Sequence, residues 1–131
     1  MTTTETGQDI LAAARALGPM IRGEAEAIEA AGRLTPKVAL GLKQAGVFRM
    51  TMPRSMGGPE VDPITQLEIV EEVARADGSA GWVVMIGSDG GFYASHLERA
   101  VAERLYADRD AITASVLVPR GRATRVEGGY R

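Results

Sequence analysis

A proline placed directly after a capping residue fixes where a helix can begin, and this chain uses the device at Thr35-Pro36 and again at Asp62-Pro63. Proline has no N–H to lose at the first helical position, and its φ is already helical. Another start is marked by Thr6-x-x-Asp9, where a hydroxyl and a carboxylate can satisfy free backbone N–H groups. Behind these starts apolar residues recur at helical spacing: Ile10, Ala14, Leu17, Ile21, Ala25 and Ile28, then Val38, Ala39, Leu42 and Ala45, then Ile64, Leu67, Val70 and Ala74. The first stripe stays in phase across Gly18-Pro19, which predicts one kinked helix to about Ala31, stopped by Gly32. The second closes at Gly46. The third is opposed by Glu68, Glu71, Glu72 and Arg75, which puts Ile64, Leu67, Val70 and Ala74 on the core side.

Between the second and third helices, "VFRMTMP" alternates Phe48, Met50 and Met52 with Arg49 and Thr51, predicting a short extended piece before the loop "RSMGGPEVD". A fourth helix is expected from Asp77 or Ser79 to Ser95. Ser95-x-x-Glu98 reads as a capping box opening a fifth, with Leu97, Val101 and Leu105, so the two meet at a corner near His96. After "ADRD" the pattern changes, as Ile112, Ala114, Val116 and Val118 alternate with Thr113, Ser115 and Leu117 in the manner of a strand. Ala123 to Val126 fits a second strand, Glu127 to Gly129 a turn, and Tyr130-Arg131 the start of the next. An isolated two-stranded hairpin is marginal in water, so the β unit is expected to be incomplete, with its remainder truncated or supplied by another chain. The reading is thus mainly α, with about five helices in a domain over 1–109 and an unfinished β unit over 110–131.

The chain has 131 residues, 45% hydrophobic and 24% charged, which suits one folded domain with a core of its own. Fifteen basic against 17 acidic residues give a net charge of −2, so there is no positive field to gather nucleic acid. The absence of cysteine removes disulfides, thiolate metal sites and cysteine nucleophiles together. "MTTTETGQD" lacks the basic region and apolar run of a signal peptide, and the most apolar segment is broken by Asp89; the cytoplasm, with no membrane role, is the expected location.

That apolar segment carries the candidate chemistry. From Gly78 to Ser95 the chain is nearly uncharged yet holds Gly81, Gly87, Gly90 and Gly91, each unfavourable in a helix by about 1 kcal/mol relative to alanine. Glycines there permit close approach of another backbone or of a flat ligand; a central helix packed on all sides is the plainer alternative. At helical spacing Trp82, Met85, Asp89, Phe92, Tyr93 and His96 fall broadly on one side. Of these, Trp82, Met85, Asp89, Phe92 and His96 are the candidate pocket residues. Asp89 could accept a hydrogen bond from a substrate hydroxyl and His96 could exchange protons near neutral pH, or both could simply reach solvent. "GSDGGF" lacks dinucleotide-loop spacing, no phosphate-loop motif occurs, one histidine and no cysteine would leave a zinc site built mostly of carboxylates, an unusual composition, and Ser88, His96 and Asp89 lack a nucleophile-elbow setting. Arg120, Arg122, Arg125 and Arg131 could meet phosphate or form a solvated face.

Taken in order, "GVFRMTMPRSMGG", "DPITQLEIVEEVARADGSAGWVVMIG" and "VPRGRATRVEGGYR" resemble the N-terminal part of the acyl-CoA dehydrogenase superfamily, over nearly the whole chain. The "ADGSAGW" junction and the "VEGGYR" ending are more similar to the flavin-dependent monooxygenases of that fold, which hydroxylate aromatic or steroid-like substrates. The resemblance implies an N-terminal helical domain, a middle β-barrel and a C-terminal helix bundle, with FAD or FMN between barrel and bundle. It implies flavin contacts near Val116 and Leu117, where the dehydrogenases carry a "TEPGAGSD"-like segment and this chain reads "LVPRGRAT". It places the helix from Gly78 to Ser95 as a wall of the substrate pocket. The implied partners are the flavin, a small-molecule substrate, and either further copies of the chain or a complementing C-terminal chain. An acyl-CoA dehydrogenase domain, or a noncatalytic helical module docking onto a flavoprotein subunit, are the alternative expectations.

Overall fold

The computed structural model describes residues 5–116, 118 and 120–131. Helix α1 (Gly7–Gly23) opens on the expected box: Thr6 Oγ1 accepts from Asp9 N, and the Asp9 carboxylate accepts from Thr6 N. The helix runs through Pro19 and gives way only at Glu24, whose N–H turns back to Ile21 O before α2 (Ala25–Ala31) resumes. The predicted single kinked helix is therefore two, divided five residues after the proline. Its apolar stripe is nonetheless right, since Ile10, Ala14, Ile21 and Ile28 are buried. Gly32 closes α2 at φ 61°, and Thr35 caps α3 (Pro36–Gln44).

"VFRMTMP" is not extended. Gly46, at φ 80°, turns the chain into a 3-10 turn over Val47–Arg49, yet burial still alternates, with Phe48, Met50 and Met52 inside and Arg49 and Thr51 half-exposed. Arg49 explains the turn. Its guanidinium reaches Glu5 at 2.8 and 3.0 Å, Asp110 at 2.7 and 2.9 Å, and Lys43 O at 3.4 Å, tying the chain's start and the segment after the last helix to this point. Burial works against the charge, but the Glu5 and Asp110 carboxylates outweigh it and hold Arg49 above its ordinary pKa.

Asp62 caps α4 (Pro63–Ala76) as expected, but the helix buries the opposite stripe. Thr65, Ile69 and Val73 face the core, while Ile64 and Leu67 are 67% and 66% exposed. Both stripes are apolar, and docking against α1 on one side and α5 (Gly78–Gly87) on the other decides which is covered. At the α4–α5 junction a Cβ on Gly81 would lie 2.5 Å from Ala74 Cβ, so the helices meet with no room for a side chain. The core gathers Phe48, Ile10, Ile21, Leu42, Ile69 and Val84.

The predicted fourth helix is also two. α5 ends at Gly87 and α6 (Gly90–Ser95) begins after Ser88 and Asp89. α7 (Arg99–Leu105) is capped by Glu98, which accepts from Ala100 N; Ser95 instead bonds Phe92 O in its own turn, so the expected Ser95 box does not form. Its predicted stripe is displaced as well: Ala102 is buried, whereas Leu105 is 59% exposed. A small second cluster joins Ala102 and Tyr106 to Met52, Met56 and Ala94.

The described part of the expected strand over 112–118 is not a strand. Alternation suits a strand only where a neighbour offers a ladder; Thr113 N instead donates to Gly87 O on α5, and Leu117 lies outside the described residues. The hairpin is present in short form, β1 (Arg125–Val126) pairing antiparallel with β2 (Gly129–Tyr130) around Glu127-Gly128. All of its residues are exposed. No described helix is long and apolar enough to cross a membrane.

Candidate functional site

The break between α5 and α6 shapes the surface where most candidate residues lie. In a continuous helix Gly87 O would accept from Gly91 N and Ser88 O from the next amide. Here Gly87 O accepts from Thr113 N at 3.1 Å, Ser88 O accepts from the Thr51 hydroxyl, and Gly91 N donates to Thr51 Oγ1 at 3.1 Å. Gly91 must be glycine for this: a Cβ would sit 2.1 Å from Thr51 O. Two partners from other parts of the chain thus consume the groups that would have carried α5 onward.

Asp89 stands at the break, half-buried, and lines two clefts. One, of about 300 Å³, is formed by Leu67 and Val70 of α4 with Met85 and Ser88. The other, of about 480 Å³, lies between Thr51, Gly91 and Phe92, and Gln66 belongs to both. The Asp89 carboxylate receives no hydrogen bond among the described residues. A carboxylate set among Met85, Phe92 and Leu67 can accept from a hydroxyl or amine while the apolar groups cover a ring.

The remaining candidates do not all join it. Met85 and Phe92, 42% and 60% exposed, flank Asp89 on either side of the break. Trp82 lines a separate groove with Ile28, Leu34 and Val83. His96 packs on Phe92 with ring centroids 4.8 Å apart, and its Nδ1 lies 2.8 Å from Phe92 O. A carbonyl only accepts, so Nδ1 carries the proton in this arrangement, and a neutral ring leaves Nε2 as the acceptor. Sequence reasoning passed over Thr51 and Gln66, which carry no local signal, weighed Ser88 only as a nucleophile, and assigned Leu67 and Val70 to the core, against which Val70 does pack. The excess of apolar residues on α4 was the available clue.

Val116, expected beside a flavin, is 76% exposed, and Leu117 lies outside the described residues. A ring of that size needs a concave site that buries most of it. The described residues around Val116 do not fit a flavin by themselves, so no step is assigned to one here.

The family model described as "Acyl-CoA dehydrogenase, N-terminal domain" matches residues 4–109, and the chain belongs to that family. Among curated relatives, the flavin-dependent monooxygenase oxygenase subunit HsaA of Mycobacterium tuberculosis is 31% identical over 124 residues, covering 94% of this chain and 32% of the relative. The indole-3-acetate monooxygenase of Pseudomonas putida is 34% identical over 89 residues, covering 68% of this chain and 23% of the relative. A crystal structure of the M. tuberculosis HsaA monooxygenase superposes with a TM-score of 0.86 at 30% identity, over 96% of this chain and 35% of that one. The chain therefore spans between about a quarter and about a third of the length of these relatives.

Proposed function

We propose that this chain forms part of a flavin-dependent monooxygenase, where it supplies one wall of the pocket for a ring-bearing small molecule. The single observation that carries the reading is Asp89, half-buried at the α5–α6 break and shared by two adjoining clefts, one walled mainly by apolar Met50, Leu67, Val70 and Met85 and the other by Phe92 together with the polar Thr51, Glu60 and Gln66. The relatives are named as monooxygenases, which favours that activity over an acyl-CoA dehydrogenase. In this reading Leu67, Met85 and Phe92 cover the ring and keep water from it, and Asp89 accepts from a hydroxyl or amine that orients it. The helices over 1–109 act as the pocket unit, and 110–131 opens a β domain. The flavin, FAD or FMN, and the rest of the catalytic apparatus belong to the counterpart of the relatives' other two-thirds, in the same or another polypeptide.

The test is a two-dimensional NMR titration of the isotopically labelled chain with phenol and, separately, indole-3-acetate. Shifts centred on Met85, Asp89 and Phe92, weakened by Asp89→Asn for phenol, are expected. Shifts centred on the Trp82 groove, or none at millimolar probe, would overturn the assignment of the wall.

A further inference from the structure

Thr51 is the side chain on which the geometry of that wall turns. It sits on the turn after Arg49, 37 residues from Ser88 and 40 from Gly91 in sequence, yet its one hydroxyl donates to Ser88 O and accepts from Gly91 N. Those two groups flank Asp89. A hydroxyl alone among small side chains can do both at one atom, since its O–H donates while its lone pairs accept. The absence of a Cβ at Gly91 lets α6 approach the Thr51 backbone closely enough for the bond to form. Thr51 also lines the cleft that contains Phe92, and Ser88 the one that contains Met85.

We infer that Thr51 is a positioning residue, a splice whose hydroxyl holds the α5–α6 break in register and thereby sets where the Asp89 carboxylate stands between the clefts. The inference rests on the proposed pocket for its functional meaning, but the splice itself is independent of any ligand. Thr113 acts on the same break from the other side, its N–H and hydroxyl both at Gly87 O, 3.1 and 3.3 Å away. Thr113 has no bond to Ser88 or Gly91, whereas Thr51 bonds to both.

The experiment compares Thr51→Val, which keeps the shape and loses the hydroxyl, with Thr51→Ser, which keeps the hydroxyl and loses the methyl. Amide hydrogen exchange at Gly91 is the readout, and Thr51→Ala replaces the valine variant if that one does not fold. Loss of the hydroxyl is expected to speed Gly91 exchange about tenfold, the factor corresponding to one net hydrogen bond. It should also move the Asp89 amide resonance and weaken phenol binding. The serine variant should keep all three near wild type. Unchanged Gly91 exchange in the valine variant, or equal loss in valine and serine variants, would overturn the inference. Faster Gly91 exchange in the valine variant but not the serine variant, with no phenol binding in the wild type, would instead uphold the splice and refute the pocket.

Discussion

Replacing Gly91 with alanine sets two effects of opposite sign against each other. Helix propensity favours the change by about 1 kcal/mol, because alanine loses less backbone entropy in α6 than glycine does. The structure opposes it: the new Cβ would lie 2.1 Å from Thr51 O, 2.2 Å from Thr51 C and 2.4 Å from Met52 N. Ordinary contact begins at 3.4 Å, so the shortfall against Thr51 O is 3.4 − 2.1 = 1.3 Å, and it falls on backbone rather than on the end of a flexible side chain. Overpacking a well-filled interior costs roughly 1–3 kcal/mol and sometimes more, and a rigid backbone obstacle belongs at the upper end. The net expectation is a loss of about 2 kcal/mol, or roughly 6–10 °C in melting temperature for a domain of this size. Gly23→Ala is the matched control, since nothing lies within 4 Å of the new atom, and it should be neutral or stabilising by up to about 1 kcal/mol. Thermal denaturation followed by circular dichroism reads both. A Gly91→Ala melting temperature equal to or above wild type would show that α6 does not press on the Thr51 backbone.

Leu67→Lys should change stability by no more than about 0.5 kcal/mol, because the side chain is 66% exposed, while Ile69→Ala two positions on should cost about 2–5 kcal/mol. Urea denaturation of the two variants checks this, and equal losses would return Leu67 to the core. Acid should weaken the fold through its capping and paired carboxylates. A hydrogen bond from Thr6 holds Asp9 below the usual carboxylate range, one from Thr65 does so for Asp62, and one from Lys43 for Asp108. Since the folded pKa lies below the unfolded one, this stability is fully present above roughly pH 5 and drains away as pH falls through 4 toward the depressed values. Melting temperatures measured down to about pH 3 should fall less steeply in the Asp9→Asn, Asp62→Asn double variant; an unchanged slope would exclude these carboxylates as the cause.

What could be read from the sequence was what neighbours in sequence decide. The caps at Thr6, Thr35 and Asp62 need only the next few residues and stand where expected, and the turn expected over Glu127 to Gly129 forms at Glu127-Gly128. What failed was decided across the fold. α4 carries two apolar stripes, and only the arrival of α1 and α5 chooses Ile69 over Leu67. The helix from Gly78 to Ser95 is broken by hydroxyl and amide partners at Thr51 and Thr113 that no periodicity announces. Residues 112–116 alternate like a strand but find no ladder among the described residues. In the candidate site the same division holds: Met85, Asp89 and Phe92 share a helical side in sequence and line the two clefts that meet at Asp89, whereas Trp82, one turn earlier on α5, faces the groove beside Ile28 and Leu34, and His96 packs on Phe92.

The contact at Gly81 has a mechanical side. With Ala74 filling the space where a side chain would stand, α4 and α5 cannot slide together any further, and their spacing fixes how far Leu67 and Val70 stand from Met85. α6 is a helix of six residues, held at its near end through Thr51. In the proposed pocket one jaw is therefore an anvil and the other a short lever, so closing on a smaller guest would fall to a swing of Phe92 and its helix rather than to any closer approach of the α4–α5 pair.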